Sequence, residues 1–365
     1  MIFTSTVSGA PVAYRASDDS QPPCKERGSM DQIHIAMTDP SQAAAARRMA
    51  VDLARKGELD ETTQGHVALI VTELATNLAK HASNGQLLFR LLGTGREAAE
   101  GFEVLSLDGG PGMANPARVL EDGYSTTGSP GTGLGAVMRT ATEFDFFTQQ
   151  GSGTAVVARI LRQHRQGSRS PDPAIGVVHR AMKGEEISGD GWLVRTFSGG
   201  WVCTVADGLG HGLIAAEAAT PIFEAVRATN KTIRPIELLE VAHQAARPTR
   251  GAACGVAVID REDSKVRFAG VGNIAAVVLE GEQRRQLVSY EGILGHSYRK
   301  VTEMTHGWSG AATLVLHSDG ISTHWDLERY PGLLARDPSL IAGIIFRDFT
   351  RGRDDATVVV VKDKH

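Results

Sequence analysis

The ten residues His164–Pro173, HRQGSRSPDP, divide this chain. They are polar and basic, carry Gly167, Pro171 and Pro173, and show no apolar period. Such a composition reads as an exposed linker that few contacts cross. At 365 residues the chain is long for one core, and a split here leaves two stretches of ordinary domain size.

Hydrophobic residues make up 42% and charged residues 22%, a globular balance. A net charge of −4 and an isoelectric point near 6.3 give no electrostatic reason to expect nucleic acid or an anionic membrane as partner. Cys24, Cys203 and Cys254 are too few and scattered for a disulfide framework or a metal knuckle, and read as reduced thiols in a cytoplasm. No run approaches the ~20 apolar residues of a membrane helix, and the opening residues lack the basic start and apolar stretch of a signal peptide. Residues 1–30 read as a disordered tail, with Ser, Pro and charge dominating after Arg15; Met30 is an alternative start.

Leftward of the linker, Asp39 or Ser41 is placed to cap a helix through QAAAARRMAVDLARK, ended by Gly57. A second helix runs from about Glu61 to Ala82, with Val67, Ile70, Val71, Leu74 and Leu78 as its buried stripe. Glu73 and Asn77 stand one turn apart on a neighbouring face, where a carboxylate and an amide can hold a water and a hydrated Mg2+ beside a terminal phosphate. Taken alone, the pair reads more readily as a solvated helix face. Two strands follow, 86–92 and 102–107, and the second ends in Asp108-Gly-Gly-Pro-Gly-Met113. A carboxylate at a strand end, followed by glycines, suits a purine amino group; it also suits a tight turn. Next comes a glycine-rich loop, Tyr124 to Gly135, opening a helix from about Ala136, whose free amides form an anion site. No P-loop exists in the chain, and Gly131 to Ala136 fits a dinucleotide fingerprint only without its preceding strand.

The order of these features is more specific than any one of them. Glu73-Leu-Ala-Thr-Asn77, Asp108-Gly-Gly-Pro-Gly112, Gly131-Thr-Gly-Leu-Gly135 and Gly153-Thr154 resemble, in sequence, the boxes of the GHKL ATPases. Residues 31–162 are most similar to the anti-sigma-factor and switch-kinase branch of that family, the RsbT and RsbW type. The resemblance implies that Glu73 orients or deprotonates an attacking hydroxyl and that Asn77 holds Mg2+. It implies that Asp108 binds the adenine amino group of ATP, with Gly110 and Gly112 shaping the pocket. Gly131, Gly133 and Gly135 would close over the phosphates, and Thr154 would support Asp108 through water.

Rightward of the linker, strand-like segments alternate from Ile175, and acidic residues recur at or beside their ends: Asp190, Asp207, Asp319, and Asp354 with Asp355. Each Asp-Gly alone is a turn. Several carboxylates converging from separate strands repel unless hard cations compensate them, and two such ions can activate a bridging water for in-line attack on phosphorus.

Ser188-Gly-Asp190, Ala206-Asp207-Gly-Leu-Gly-His-Gly212, Ala269-Gly-Val-Gly-Asn273, Ser318-Asp319-Gly320 and Asp354-Asp355-Ala-Thr357 resemble the type 2C metal-dependent serine/threonine phosphatases, in their SpoIIE and RsbX branch. By that resemblance Asp207 bridges two Mn2+ or Mg2+ ions and the Gly208 carbonyl binds one of them. Asp319 and Asp354 complete a shell, Asp207 and Asp319 being the catalytic centre, and Asp190 supports the second ion or its water. Asp355 packs or hydrogen-bonds nearby, and His211 and His317 read as structural. One position departs from the pattern: Leu193 stands where many SpoIIE-type enzymes carry a further Asp.

The expected architecture is α+β, an N-terminal GHKL (Bergerat) α/β sandwich followed by a type 2C α-β-β-α sandwich. Its expected bounds are a tail at 1–30, an ATP-binding switch-kinase domain at 31–162, a linker at 163–174 and a phosphatase domain at 175–365. The resemblances together imply a cytoplasmic partner-switching regulator with a kinase half and a phosphatase half. It would act on Ser/Thr of a STAS-domain antagonist protein and signal to a sigma factor or a downstream signalling enzyme, with neither nucleic acid nor membrane as partner. The alternatives are a phosphatase whose first half is a nucleotide-gated binding module, a sensor histidine kinase, for which the short upstream tail offers no helix bearing an acceptor His, and a phosphatase half without activity.

Overall fold

A computed structural model describes residues 26–28, 32–93, 98–114, 133–162, 172–229 and 234–364. Most of the expected linker, together with Gly131 and the loop before it, lies outside the described residues. Of the expected tail, three residues are described, and they form a strand, β1 (Glu26–Gly28).

The first half folds as a five-stranded antiparallel sheet in the order β2-β3-β4-β6-β5. Its strands are β2 (Ile33–Met37), β3 (Gly85–Leu92), β4 (Gly101–Asp108), β5 (Glu143–Thr148) and β6 (Thr154–Leu161). Its helices are α1 (Gln42–Lys56), α2 (Glu61–His81) and α3 (Gly133–Thr140). The capping expectation for α1 changes in detail. Ser41 occupies the N-cap without a side-chain bond, while the Asp39 carboxylate accepts from the Ser41 N–H at 2.7 Å. At α2 the Asp60 carboxylate accepts from the Thr63 N–H at 2.8 Å, an ordinary cap.

Alternation along the strands sends the first sheet's side chains into two cores. Leu87, Phe89, Phe102, Val104, Val156, Ala158 and Ile160 pack with the buried stripe of α2 and with Ala46, Ala50 and Ala54 of α1. The intervening Leu88, Leu105, Leu107, Ala155 and Val157 face the other way and are equally buried. What covers them comes from the far end of the chain.

The second half contains β7 (Ala174–Arg180), β8 (Asp190–Phe197), β9 (Gly200–Gly208), β10 (Ala252–Asp260), β11 (Lys265–Val271) and β12 (Ala275–Glu280). It continues with β13 (Gln283–Leu287), the short pair β14 (Gly292–Ile293) and β15 (Ser297–Tyr298), then β16 (Met304–Gly307), β17 (Thr313–His317) and β18 (Ala356–Lys362). Its helices are α4 (Gly212–Ala228), α5 (Pro235–Ala246) and α6 (Pro338–Phe349). One sheet runs β1-β8-β9-β10-β11-β16 and the other β13-β12-β17-β18-β7. Their inner faces interdigitate through Trp192, Trp201, Phe268, Leu314 and Val359, while α4 and α5 cover the outer face of the first.

Helix α6 covers the outer face of the second sheet and, with its opposite side, the open face of the first half's sheet. Leu340, Ile341, Ala342, Ile344, Ile345 and Phe346 are all buried, so the helix is apolar all round, as a helix between two sheets must be. The approach is close at Gly343, where a Cβ would fall 2.8 Å from a Leu107 methyl. The chain therefore alternates helix and sheet layers with α6 shared between the halves. β1, preceding the first half in sequence, adds an edge strand to the second half's sheet by pairing antiparallel with β8.

A buried polar cluster seals the same seam. Glu103 on β4 is 1% exposed and accepts from Arg90 Nε at 2.8 Å and Arg159 Nε at 2.7 Å. The Arg159 guanidinium forks onto Asp337, the N-cap of α6, at 2.6 and 2.7 Å. Ser339 of α6 donates to Glu103 at 2.9 Å. Burial alone would raise the Glu103 carboxyl, but the two guanidinium groups hold it down at about 2.

Candidate functional sites

Strand registers bring the acidic residues of the second half together. Asp190, which begins β8, lies directly opposite Asp207 near the end of β9. The Ser318 hydroxyl, just past β17, donates to Asp190 Oδ2 at 2.6 Å and accepts from the Thr357 N–H at 3.0 Å. Asp355 accepts from the Met182 and Gly189 N–H groups at 2.6 and 2.8 Å, so a buried carboxylate pins the loop that delivers Asp190. Gly320 lies under Asp355, where a Cβ would stand 1.9 Å from its carbonyl oxygen. Asn273 donates to Asp319 Oδ2 at 2.6 Å. The sequence pattern that singled out Asn273 thus belongs to a side chain that orients an acidic residue.

The electrostatics of this cluster run one way. Burial pushes the Asp207 carboxyl strongly upward, and Asp190, Asp319, Asp354 and Asp355 push it further by like charge. Asp190 is also raised, chiefly by burial, against the opposing bond from Ser318. Asp319 moves up through burial and the charge of Asp354. Among the described residues no three such side chains draw close enough to ligate one ion by themselves. Asp190 Oδ1 is buried and has no hydrogen-bond partner. An all-oxygen, uncompensated set with an orphaned buried oxygen fits a hard divalent cation.

His211 and His317 separate by environment. His317 is 1% exposed, accepts from the Trp325 indole N–H at 3.0 Å and contacts the Ser318 carbonyl through Nδ1 at 2.8 Å. Burial depresses it to about 4, so it is a neutral structural residue. His211 is exposed and pairs with Glu185 at 2.7 Å. Leu193 is fully buried in the core beneath α4 and α5. Apolar packing therefore accounts for this departure from the family pattern.

In the first half, α2 leads from Glu73 and Asn77 toward the Asp108 turn. The Gly109 N–H donates to the Ser83 carbonyl at 2.9 Å, and a Cβ on Gly110 would sit 3.0 Å from the His81 carbonyl. Glu73 and Asn77 are half-buried, and Asn77 Nδ2 is buried without a partner. Asp108 Oδ1 accepts from the Gly110 N–H at 2.7 Å. Burial raises its carboxyl, while that bond and the Arg347 charge oppose the rise. Gly112 has φ +69° and a Cβ there would fall 2.2 Å from the Gln149 carbonyl, so glycine is required. Thr154 stands opposite Asp108 in the β4–β6 ladder, and its hydroxyl lies 3.1 Å from that of Thr148. Gly133 and Gly135 open α3, which packs on α2. Gly131 lies outside the described residues. A cavity of about 450 Å³ lies elsewhere, at the seam between the halves, lined in part by Glu143, Arg159, Arg336, Asp337 and Lys362.

The chain thus joins two differently folded halves, each with its own cluster of polar residues, and comparison with known proteins names both. The chain belongs to the histidine kinase-like ATPase family through residues 36–160, and residues 198–363 match the Stage II sporulation protein E (SpoIIE) family model. The second half is accordingly a type 2C-like serine/threonine phosphatase domain. The serine/threonine-protein kinase RsbT of Bacillus subtilis (strain 168) is 30% identical over 128 residues, 35% of this chain and 95% of RsbT. The phosphoserine phosphatase RsbX of the same organism is 27% identical over 143 residues, 38% of this chain and 70% of RsbX. Among solved structures, RsbX in complex with magnesium aligns with TM-score 0.46 and 20% identity over 55% of this chain and 99% of RsbX. The RsbU and RsbW domains of a Mycobacterium tuberculosis protein align with TM-score 0.45 and 18% identity, over 53% of this chain and 62% of theirs. No helix among the described residues is long and apolar enough to cross a membrane.

Proposed function

We propose that the chain is a bifunctional partner-switching enzyme. Its first half transfers phosphate from ATP to Ser/Thr of a STAS-domain antagonist protein, and its second half removes it. The observation that carries the phosphatase reading is the acidic cluster: Asp190, Asp207, Asp319 and Asp355 are all raised by burial and by the charge of neighbouring carboxylates. Asp190, Asp207, Asp319, Asp354 and the Gly208 carbonyl would hold two Mn2+ or Mg2+ ions. Bound ions of this kind supply a water acidic enough to attack a phosphoester near neutral pH. The chain's own part is positional. Ser318 and Asp355 fix Asp190 and its loop, and Asn273 turns Asp319.

On the kinase side, Asp108 would accept the adenine amino group, Asn77 would meet the Mg2+ of ATP, and Glu73 would take the proton of the attacking hydroxyl. The unpartnered Asn77 amide supports this assignment. Gly110 and Gly112 would shape the pocket floor, with Thr154 behind it; Gly131, Gly133 and Gly135 would lie along the phosphates. A cytoplasmic setting and an output through a sigma factor or a downstream signalling enzyme complete the reading.

The test uses purified chain, labelled ATP, a STAS-domain protein and its phosphoserine form. The proposal expects transfer that Glu73→Ala abolishes and Mn2+-dependent release that Asp207→Asn abolishes. ATP binding without transfer in the wild-type chain would reduce the first half to a nucleotide-gated binding module. Release that survives Asp207→Asn would remove the metal site.

A further inference from the structure

The strand end that carries Asp108 in the first half receives a side chain from the second. Arg347, in the last turn of α6, donates from Nη1 to the Asp108 carbonyl at 2.7 Å. The rest of its guanidinium is held in place: Nε and Nη2 donate to the Asp348 carboxylate at 2.9 and 2.6 Å. The Tyr330 hydroxyl donates to the same carboxylate at 2.6 Å, and the Tyr330 ring meets Phe147 of β5 edge-on. The Arg347 side chain is 6% exposed, so this is a buried, pre-oriented fork rather than a surface contact.

The contact falls on the residue read above as the purine acceptor. Asp108 ends β4, and its side chain is steered from two directions, by the Gly110 N–H on Oδ1 and by the backbone that Arg347 grips. Gly153 crosses directly behind, where a Cβ would stand 1.9 Å from the Asp108 carbonyl, so the carbonyl is already confined on that side. The same helix end is tied to the other site. The Ser322 N–H donates to the Phe349 carbonyl, and the Arg351 N–H donates to the Gly320 carbonyl, one residue past Asp319.

We propose that Arg347, supplied by the phosphatase half, is a positioning residue of the nucleotide pocket that holds the Asp108 carboxylate where it reads the purine 6-position. This rests on the reading of Asp108 as the adenine-recognising residue. An acceptor fixed at that position favours a 6-amino group and rejects a 6-oxo group, because two acceptors then face each other. An Asp108 free to shift can instead accept from the N1–H of a 6-oxopurine, so the loss of Arg347 erodes discrimination more than overall binding.

The experiment is calorimetric titration of the full chain with ADP and with inosine diphosphate, which differ at the 6-position. The wild-type chain and Arg347→Lys are expected to prefer ADP by about tenfold or more, and Arg347→Met to lose about tenfold of that preference. Asp108→Asn tests the underlying reading: discrimination that survives it shows that Asp108 is not the adenine residue. Discrimination lost in Asp108→Asn but intact in Arg347→Met overturns the positioning role, even where Arg347→Met lowers the melting temperature. Should Arg347→Met not fold, Tyr330→Phe decides. It frees Asp348 and is expected to cut the preference by a smaller factor, and an unchanged preference overturns the proposal.

Discussion

Two buried acidic clusters, one at the seam and one in the second half, follow opposite electrostatic plans. At the seam, Glu103 is fully enclosed yet held down at about 2, because Arg90 and Arg159 neutralise it and Ser339 adds a donor. In the second half, Asp190 and Asp207 are enclosed without any cation and are both pushed up. The difference teaches how to tell structure from function in buried charge. A carboxylate compensated by guanidinium groups is finished, and the fold uses it to lock two halves together. A carboxylate without a counter-charge is one that a cation from solution can complete.

That contrast can be broken experimentally, and the largest effect is expected at the seam. Glu103→Gln leaves two buried guanidinium groups under-compensated and should lower the unfolding free energy by about 3–5 kcal/mol in urea titrations. The same kind of change at Asp207, to Asn, should leave the metal-free chain as stable as before or more so, since it removes repulsion. A large destabilisation there would mean that the cluster is structural after all. Asp207→Asn should instead cut Mn2+-dependent hydrolysis of p-nitrophenyl phosphate at least about a hundredfold, roughly 2.7 kcal/mol in the barrier.

A third expectation sharpens the view of α6 as a shared layer. Gly343→Val inserts methyl groups against Leu105 and Leu107 and should cost about 1–3 kcal/mol, read by thermal melting. If the halves were independent, it would cost almost nothing. The smallest effect is a slope with pH. Carboxyls raised in the folded state hold protons more tightly than in the unfolded chain, where they titrate near 3.8. Their protonated form is therefore stabilising, so the metal-free stability of the wild-type chain relative to Asp207→Asn should fall as pH rises above that value, by at most about 1.4 kcal/mol per pH unit; the comparison cancels the opposite slope from buried His179 and His317. Mn2+ should flatten the difference; a metal-free difference that rises over the same range would contradict it.

Much of the local structure was legible beforehand. The helix read over QAAAARRMAVDLARK is α1 to the residue, and the one read from about Glu61 to Ala82 ends one residue earlier, at His81. Periodicity and Gly57 as a stop carry that information within a few turns of chain. The helix expected from about Ala136 is observed from Gly133, because the low helix propensity of glycine hides the first turn in the sequence. Asp190 and Asp207 were recognisable as candidates, but their pairing across β8 and β9 was not. Nor was the service of Ser318, Asn273 and Asp355, whose partners lie far away in the chain. The alternation in β3, β4 and β6 showed two apolar faces but could not say what covered the second.

Periodicity, turn residues and the order of motifs along the chain were enough to mark two halves, their element types and the residues each site would use. Tertiary structure alone decided that the units share α6, that β1 crosses into the second sheet, and that Arg347 reaches Asp108 from 239 residues away. The physical reason is that burial and charge compensation are satisfied by whichever surface fits, and sequence spacing says nothing about which surface that is.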